Sequence, residues 1–246
     1  MHRVSRHDLV WLTLDGWQRL LACPADDCAG DALAHWAECR LPLVATRRGG
    51  DLAADVIALG LPTPRCWSGR RLALVAPSAD IERIGRFPTL AEASHALPAN
   101  AALRLEAVAA ALGARAGLTL VYGSHGWQAL TQLDCLHEGS DLDLLLPAPT
   151  AAEAMLLCSR LAAYRGELRI DGELVLPNGC AVAWREWHGA AARGSFQVLV
   201  KQVDGAELLP LDALWPAVLA AGNDPLSASA SATGSKTAVA GVGERR

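Results

Sequence analysis

Gly123-Ser124-His125-Gly126-Trp127, followed by Gly139-Ser140-Asp141-Leu142-Asp143-Leu144-Leu145-Leu146, is the stretch that decides the fold. An apolar run from Leu118 to Tyr122 leads into the Gly-Ser turn, Trp127 to Leu133 has the composition of a short helix, and Asp141 to Leu146 reads as a strand. That strand is apolar except at two positions. Side chains in a strand alternate between faces, so Asp141 and Asp143 are expected on the same one. Two carboxylates held so close repel each other, and a cation between them relieves the repulsion. Magnesium suits the place, since this hard cation takes carboxylate oxygens together with the phosphates of a substrate. A glycine in a tight turn lets backbone N–H groups and a serine hydroxyl approach anionic oxygens. Gly123, Ser124 and Ser140 are therefore expected to bind substrate, and Asp141 and Asp143 to bind metal.

An Asp-x-Asp pair also fits the solvated face of an edge strand. Acid in an otherwise buried strand is costly unless it is paired or bound to metal, and this favours the catalytic reading. The unit then has the form of a nucleotidyltransferase site. Such a site uses a further carboxylate to orient or deprotonate the nucleophile. Asp171 is the expected choice, with Glu173 on the same strand face and Glu186 as weaker alternatives.

The chain has 246 residues, enough for one large domain or two small ones. It is 52% hydrophobic and 20% charged, which is a globular composition. A net charge of −4 argues against a broadly basic nucleic-acid binder. Seven scattered cysteines without a CxxC pair read as reduced thiols. Cys23, Cys28, Cys39 and His35 match no common zinc spacing. No signal peptide and no run of membrane-spanning length is visible, so a cytoplasmic protein is expected.

The expected fold class is α+β: a mixed sheet with helices in a C-terminal domain, preceded by a smaller N-terminal α/β module. The N-terminal module spans 1–92. It has strands over Asp8–Leu12, Leu41–Arg48 and Arg70–Ala76, a helix over Gly30–Glu38, and a stiff loop at Leu59–Pro62. Pro88, Pro98 and the Ala/Ser-rich residues between them read as a connector. The catalytic domain spans 99–221. It has helices over Ala101–Ala116 and Thr150–Tyr164, the latter opened by a Thr150/Glu153 capping box. Strands follow over Leu168–Leu176 and Ala181–Trp187, joined by Pro177-Asn178-Gly179, and another lies over residues 196–203. Residues 223–246 read as a disordered tail.

Arg47, Arg48, Arg70 and Arg71 stand at strand ends, where arginine forks suit a large anionic substrate. Solvated surface charge is the alternative for each. Lysine occurs only at Lys201 and Lys236, and Lys201, inside an apolar strand, is a candidate phosphate ligand. His125 lies in the turn within reach of a phosphate, while His137 suits a scaffold role. Trp127, Trp184 and Trp187 read as core.

Several blocks in order carry a family resemblance: Arg6-His7-Asp8-Leu9-Val10-Trp11-Leu12, Pro42-Leu43-Val44 with Arg47-Arg48, and Arg70-Arg71-Leu72-Ala73-Leu74. The stretch 123–146, Asp171-Gly172-Glu173-Leu174, residues 181–186 and Val198-Leu199-Val200-Lys201 continue it. Over residues 5 to 215 the chain resembles the malonate decarboxylase holo-acyl-carrier-protein synthases, which are phosphoribosyl-dephospho-coenzyme A transferases of the nucleotidyltransferase superfamily. The resemblance implies transfer of the phosphoribosyl-dephospho-coenzyme A group from its triphosphate donor to a serine of the acyl carrier protein, with release of pyrophosphate. It implies Mg2+ on Asp141 and Asp143, Asp171 as base or orienting group, and phosphate contacts from Gly123, Ser124, Ser140, Lys201, Arg47 and Arg48. The N-terminal module would hold the carrier or the pantetheine arm. A generic magnesium-dependent nucleotidyltransferase and a non-catalytic binding module of the same fold are the alternatives.

Overall fold

Thr13 and Asp26 start the first two helices by accepting from the backbone amides of Gly16 and Ala29, as good N-cap residues do. A computed structural model describes residues 4–22, 26–49, 52–194 and 197–215; the predicted tail lies outside these. Within them the molecule is mixed α+β, with two sheets and seven α-helices.

The first sheet contains β1 (Leu9–Leu12), β2 (Leu43–Ala45), β3 (Val56–Pro62), β4 (Arg71–Pro77) and β5 (Ile81–Gly85), all antiparallel in the order β4-β3-β2-β1-β5. Helices α1 (Leu14–Leu21) and α2 (Asp27–Glu38) accompany it. Leu9, Leu33, Trp36, Leu43, Leu59 and Leu61 form its buried core. The stiff loop expected at Leu59–Pro62 is instead the second half of β3, which pairs with β4 from Val56↔Pro77 to Pro62↔Arg71. Pro62 is tolerated because it sits at the strand's last position. The segment between Pro88 and Pro98 is also more than a connector. It holds α3 (Leu90–Ala96), nucleated by a Thr89/Glu92 capping box.

The second sheet contains β6 (Leu120–Tyr122), β7 (Leu142–Pro147), β8 (Ile170–Val175), β9 (Ala181–Ala183), β10 (Gln197–Lys201) and β11 (Ala206–Pro210), in the order β11-β10-β9-β8-β7-β6. Only β7 and β8 run parallel. The crossover between them is α6 (Ala151–Ala163), capped by Thr150 as its sequence predicts. Leu142, Leu144, Leu146, Ile170 and Leu174 pack in one core with Leu105 and Val108 of α4 (Ala99–Leu112) and Leu157 of α6. The Ala181–Trp187 strand stops at Ala183, and Trp184 begins α7 (Trp184–Arg193). Trp184, Trp187 and Ala190 recur every three residues and are all buried, so the helical stripe wins over strand alternation. No helix among the described residues is long and apolar enough to cross a membrane.

Candidate functional site

Helix α5 (Gly123–Thr131) starts at the glycine itself, earlier than the Trp127–Leu133 helix expected. No side chain caps it, which leaves its first amides open to an anion at the positive end of the helix. Gly123 has a φ of 61°, and a Cβ there would overlap the Asp143 carboxylate. Only glycine satisfies both demands. Gly123→Ala should lower activity at least a hundredfold, measured at saturating substrate; activity within fivefold would show that strand and helix need no such close approach.

Tyr122 pairs with Asp143 across β6 and β7, and Asp143 pairs with Asp171 across β7 and β8. In matched register the two aspartates lie on one face, opposite the helix-packed core. Burial, then Asp171, then Asp141 push the Asp143 carboxyl up to about 6. A raised carboxyl means that the folded state holds its proton more tightly than the unfolded chain. Stability is therefore lost as pH rises from the ordinary value of about 4 to about 6. For the metal-free protein, the melting temperature of wild type minus that of Asp143→Asn should fall between pH 4 and pH 6.5. A flat difference would show that neither burial nor the neighbouring carboxylates raise the Asp143 carboxyl.

Asp141 lies just before β7 and is bound elsewhere. Arg169 grips it with two of its guanidinium nitrogens, Nε donating to Oδ1 at 2.6 Å and Nη2 to Oδ2, and this hydrogen bonding holds its carboxyl below the usual range. Among the described residues no three His, Cys, Asp or Glu side chains converge as metal ligands. Asp143 and Asp171 still fit a dication, because two facing carboxylates repel and a cation between them relieves the repulsion. His125 is buried with Nδ1 3.1 Å from the Asp141 carbonyl, and burial lowers its pKa, so it positions the start of β7. The Ser140 hydroxyl accepts from the His137 amide at 2.9 Å and closes the preceding turn.

Glu173, two residues beyond Asp171, is 4% exposed. It takes Arg6, Lys201 Nζ at 2.8 Å and His7 Nε2 at 3.2 Å. Burial, with help from Arg6 and Lys201, holds His7 down to about 3, so at neutral pH it carries no charge. His7 has a left-handed φ of 71°, and its ring lies 4.7 Å from that of Tyr122. Residues far apart in the sequence, Arg6 and His7 on one side and Lys201 on the other, thus brace the strand that carries Asp171. Lys201 is expended on this carboxylate, and burial lowers its pKa.

A cleft of ≈ 810 Å³ lies between the first sheet and this site. Tyr122, Gly123, Ser124 and Asp143 line one side, and Arg47, Arg65 and Arg71 the other. Arg6, His7 and Glu173 line it as well. Arg48 does not; its backbone amide donates to the Val203 carbonyl at 2.7 Å and its guanidinium to that of Leu52. The roles of Arg6, His7 and Arg169 were not read from the sequence. Their partners come from distant segments, and the clue was the register that sets Asp141 beside Arg169.

Carboxylates beside an open helix start, facing arginines across a cleft, make a class of site that handles polyphosphate groups. Residues 89–212 match the family profile described as the phosphoribosyl-dephospho-CoA transferase MdcG C-terminal domain, and residues 5–87 match its N-terminal domain. A phosphoribosyl-dephospho-CoA transferase of Xanthomonas euvesicatoria is 41% identical over 215 residues, 86% of this chain and 97% of the relative. One from Xanthomonas campestris (strain 8004) is 40% identical over 217 residues, with the same coverage. One from Bradyrhizobium diazoefficiens is 34% identical over 207 residues, 83% of this chain and 89% of its own. No solved structure matches. The chain belongs to the phosphoribosyl-dephospho-CoA transferase family and is a transferase enzyme.

Proposed function

We propose that this transferase moves the phosphoribosyl-dephospho-coenzyme A group from 2'-(5''-triphosphoribosyl)-3'-dephospho-coenzyme A to a serine of the malonate decarboxylase acyl carrier protein. The reading rests on one observation above all: Asp143 and Asp171 face each other beside the open start of α5. The second sheet then serves as a nucleotidyltransferase-like platform, and the cytoplasm is where donor and carrier would meet.

In this reading the α5 amides and Ser124 hold the β- and γ-phosphates, and Gly123 lets them approach. Asp171 orients the carrier serine and accepts its proton. The serine oxygen forms a bond to the α-phosphorus, the bond from that phosphorus to the β-phosphate oxygen breaks, and pyrophosphate leaves. A phosphodiester results, so charge and atoms balance without a redox partner. Asp143 would hold magnesium, with Asp141 joining if Arg169 releases it. When bound, the metal neutralises phosphate charge in a low-dielectric cleft.

The test mixes enzyme, donor and Mg2+ with and without the carrier, and follows both pyrophosphate and carrier mass. A carrier gaining the phosphoribosyl-dephospho-coenzyme A mass only with metal is the expected result. Pyrophosphate from ATP with the carrier unmodified would point to a generic nucleotidyltransferase. No release from either donor, with partner binding kept, would point to a binding module.

A further inference from the structure

Arg47, Arg65 and Arg71 line one wall of the cleft, and none forms an ion pair among the described residues. Eight other arginines there do, including Arg70 next door, whose guanidinium takes both oxygens of Asp26. Of the seventeen described arginines these eight meet acids, and five more (Arg48, Arg83, Arg160, Arg165 and Arg185) bond backbone carbonyls or lie on a tryptophan ring, yet three exposed cations stand together on one wall. Guanidinium stays charged at any working pH. Like charges gathered this way repel unless an anion joins them, which points to a bound ligand and not to stability.

The wall is not purely cationic. Pro62 and Leu72, both partly exposed, line it between the arginines. A bare polyphosphate gains nothing from such apolar surface. A ligand with phosphates and a long, partly apolar body gains from both parts. The cleft volume of ≈ 810 Å³ lies toward the upper end of small-molecule sites, which run roughly 300–1,000 Å³. The three arginines are also placed differently. Arg71 is close enough to Asp143 and Tyr122 to act on both carboxyl and phenol. Arg47 acts on Arg6 instead, and Arg65 opens the turn between β3 and β4.

We infer that Arg47 and Arg65, with the partly exposed apolar side chains of Pro62 and Leu72, form a second anion subsite that takes the diphosphate of the dephospho-coenzyme A portion of the donor. This rests on the donor named under Proposed function. The ligand class is an adenine nucleotide diphosphate ester with an amphipathic arm. The triphosphate end then lies on α5 and β7, and Arg71 stands between the two subsites. Arginine forks suit diphosphate oxygens, since each can give two parallel hydrogen bonds.

Calorimetry of wild type and the Arg47→Ala/Arg65→Ala variant tests the inference, with dephospho-coenzyme A as one probe and inorganic tripolyphosphate plus magnesium as the other. Both arginines are exposed, so melting temperatures should agree and serve as the folding control. Dephospho-coenzyme A affinity should fall at least tenfold in the variant, with tripolyphosphate affinity within threefold. In steady state the donor KM should rise by a larger factor than kcat falls. Dephospho-coenzyme A binding within twofold of wild type overturns the inference. So does a loss confined to tripolyphosphate, or a rise confined to the KM for the carrier. Arginine-dependent binding of dephospho-coenzyme A by a protein that transfers nothing would keep the subsite and remove the proposed reaction. Carrier modification by an unimpaired double variant would do the reverse.

Discussion

Asp143→Asn should cost on the order of a thousandfold or more in group transfer and leave the fold intact. The carboxylate stands opposite Asp171, against Gly123 and on the wall of the cleft, where phosphate charge has to be managed. Its own charge is unfavourable in the metal-free protein, since burial and neighbouring carboxylates raise its pKa to about 6. Removing that charge relieves the repulsion on Asp171. The variant's melting temperature at pH 7.5 should therefore equal or exceed that of wild type. Less activity with no loss of stability is the signature of a group kept for chemistry. Circular dichroism melts beside the carrier-mass assay give both numbers, and transfer within tenfold of wild type would remove Asp143 from the site.

Glu173→Ala should have the largest effect on stability, by a different mechanism. The carboxylate is 6% exposed in its side chain, while Arg6 is 17% and Lys201 35% exposed. Truncation leaves two partly buried cations facing each other, and neutral His7 offers no compensation. Breaking a buried pair by removing one partner costs about 3–5 kcal/mol, and the low end applies here because Lys201 still reaches water. For a chain of this size, about 3 kcal/mol lowers the melting temperature by roughly 6–12 °C. Glu173→Gln keeps the shape without the charge and should recover only part of the loss. A fall of under 2 °C for the alanine variant would show that the N-terminal Arg6-His7 corner is not held by this residue.

The local signals were strong where contacts are close in sequence. Thr150 with Glu153 marked the start of α6, Pro177-Asn178-Gly179 the β8–β9 turn, and the apolar runs around 118–146 the paired strands β6 and β7. The errors have one physical origin. Leu59–Pro62 holds a glycine and a proline, and is a strand because β4 supplies hydrogen bonds along its whole length. Trp184 to Trp187 suits a strand by composition, and is a helix because both tryptophans meet the same buried surface. Context outweighed propensity in each case.

The sequence by itself determined which groups were available: the Gly123 turn, the acids at 141, 143 and 171, and the arginines at the strand ends of the N-terminal module. The tertiary structure decided what each of them does. It set Arg169 on Asp141, seated Lys201, Arg6 and His7 around Glu173, and left Arg47, Arg65 and Arg71 without an ion pair among the described residues. A charge takes its role from what lies within a few ångströms. The Arg6–Glu173 bond spans 167 positions of chain, a separation at which periodicity carries no information about contact.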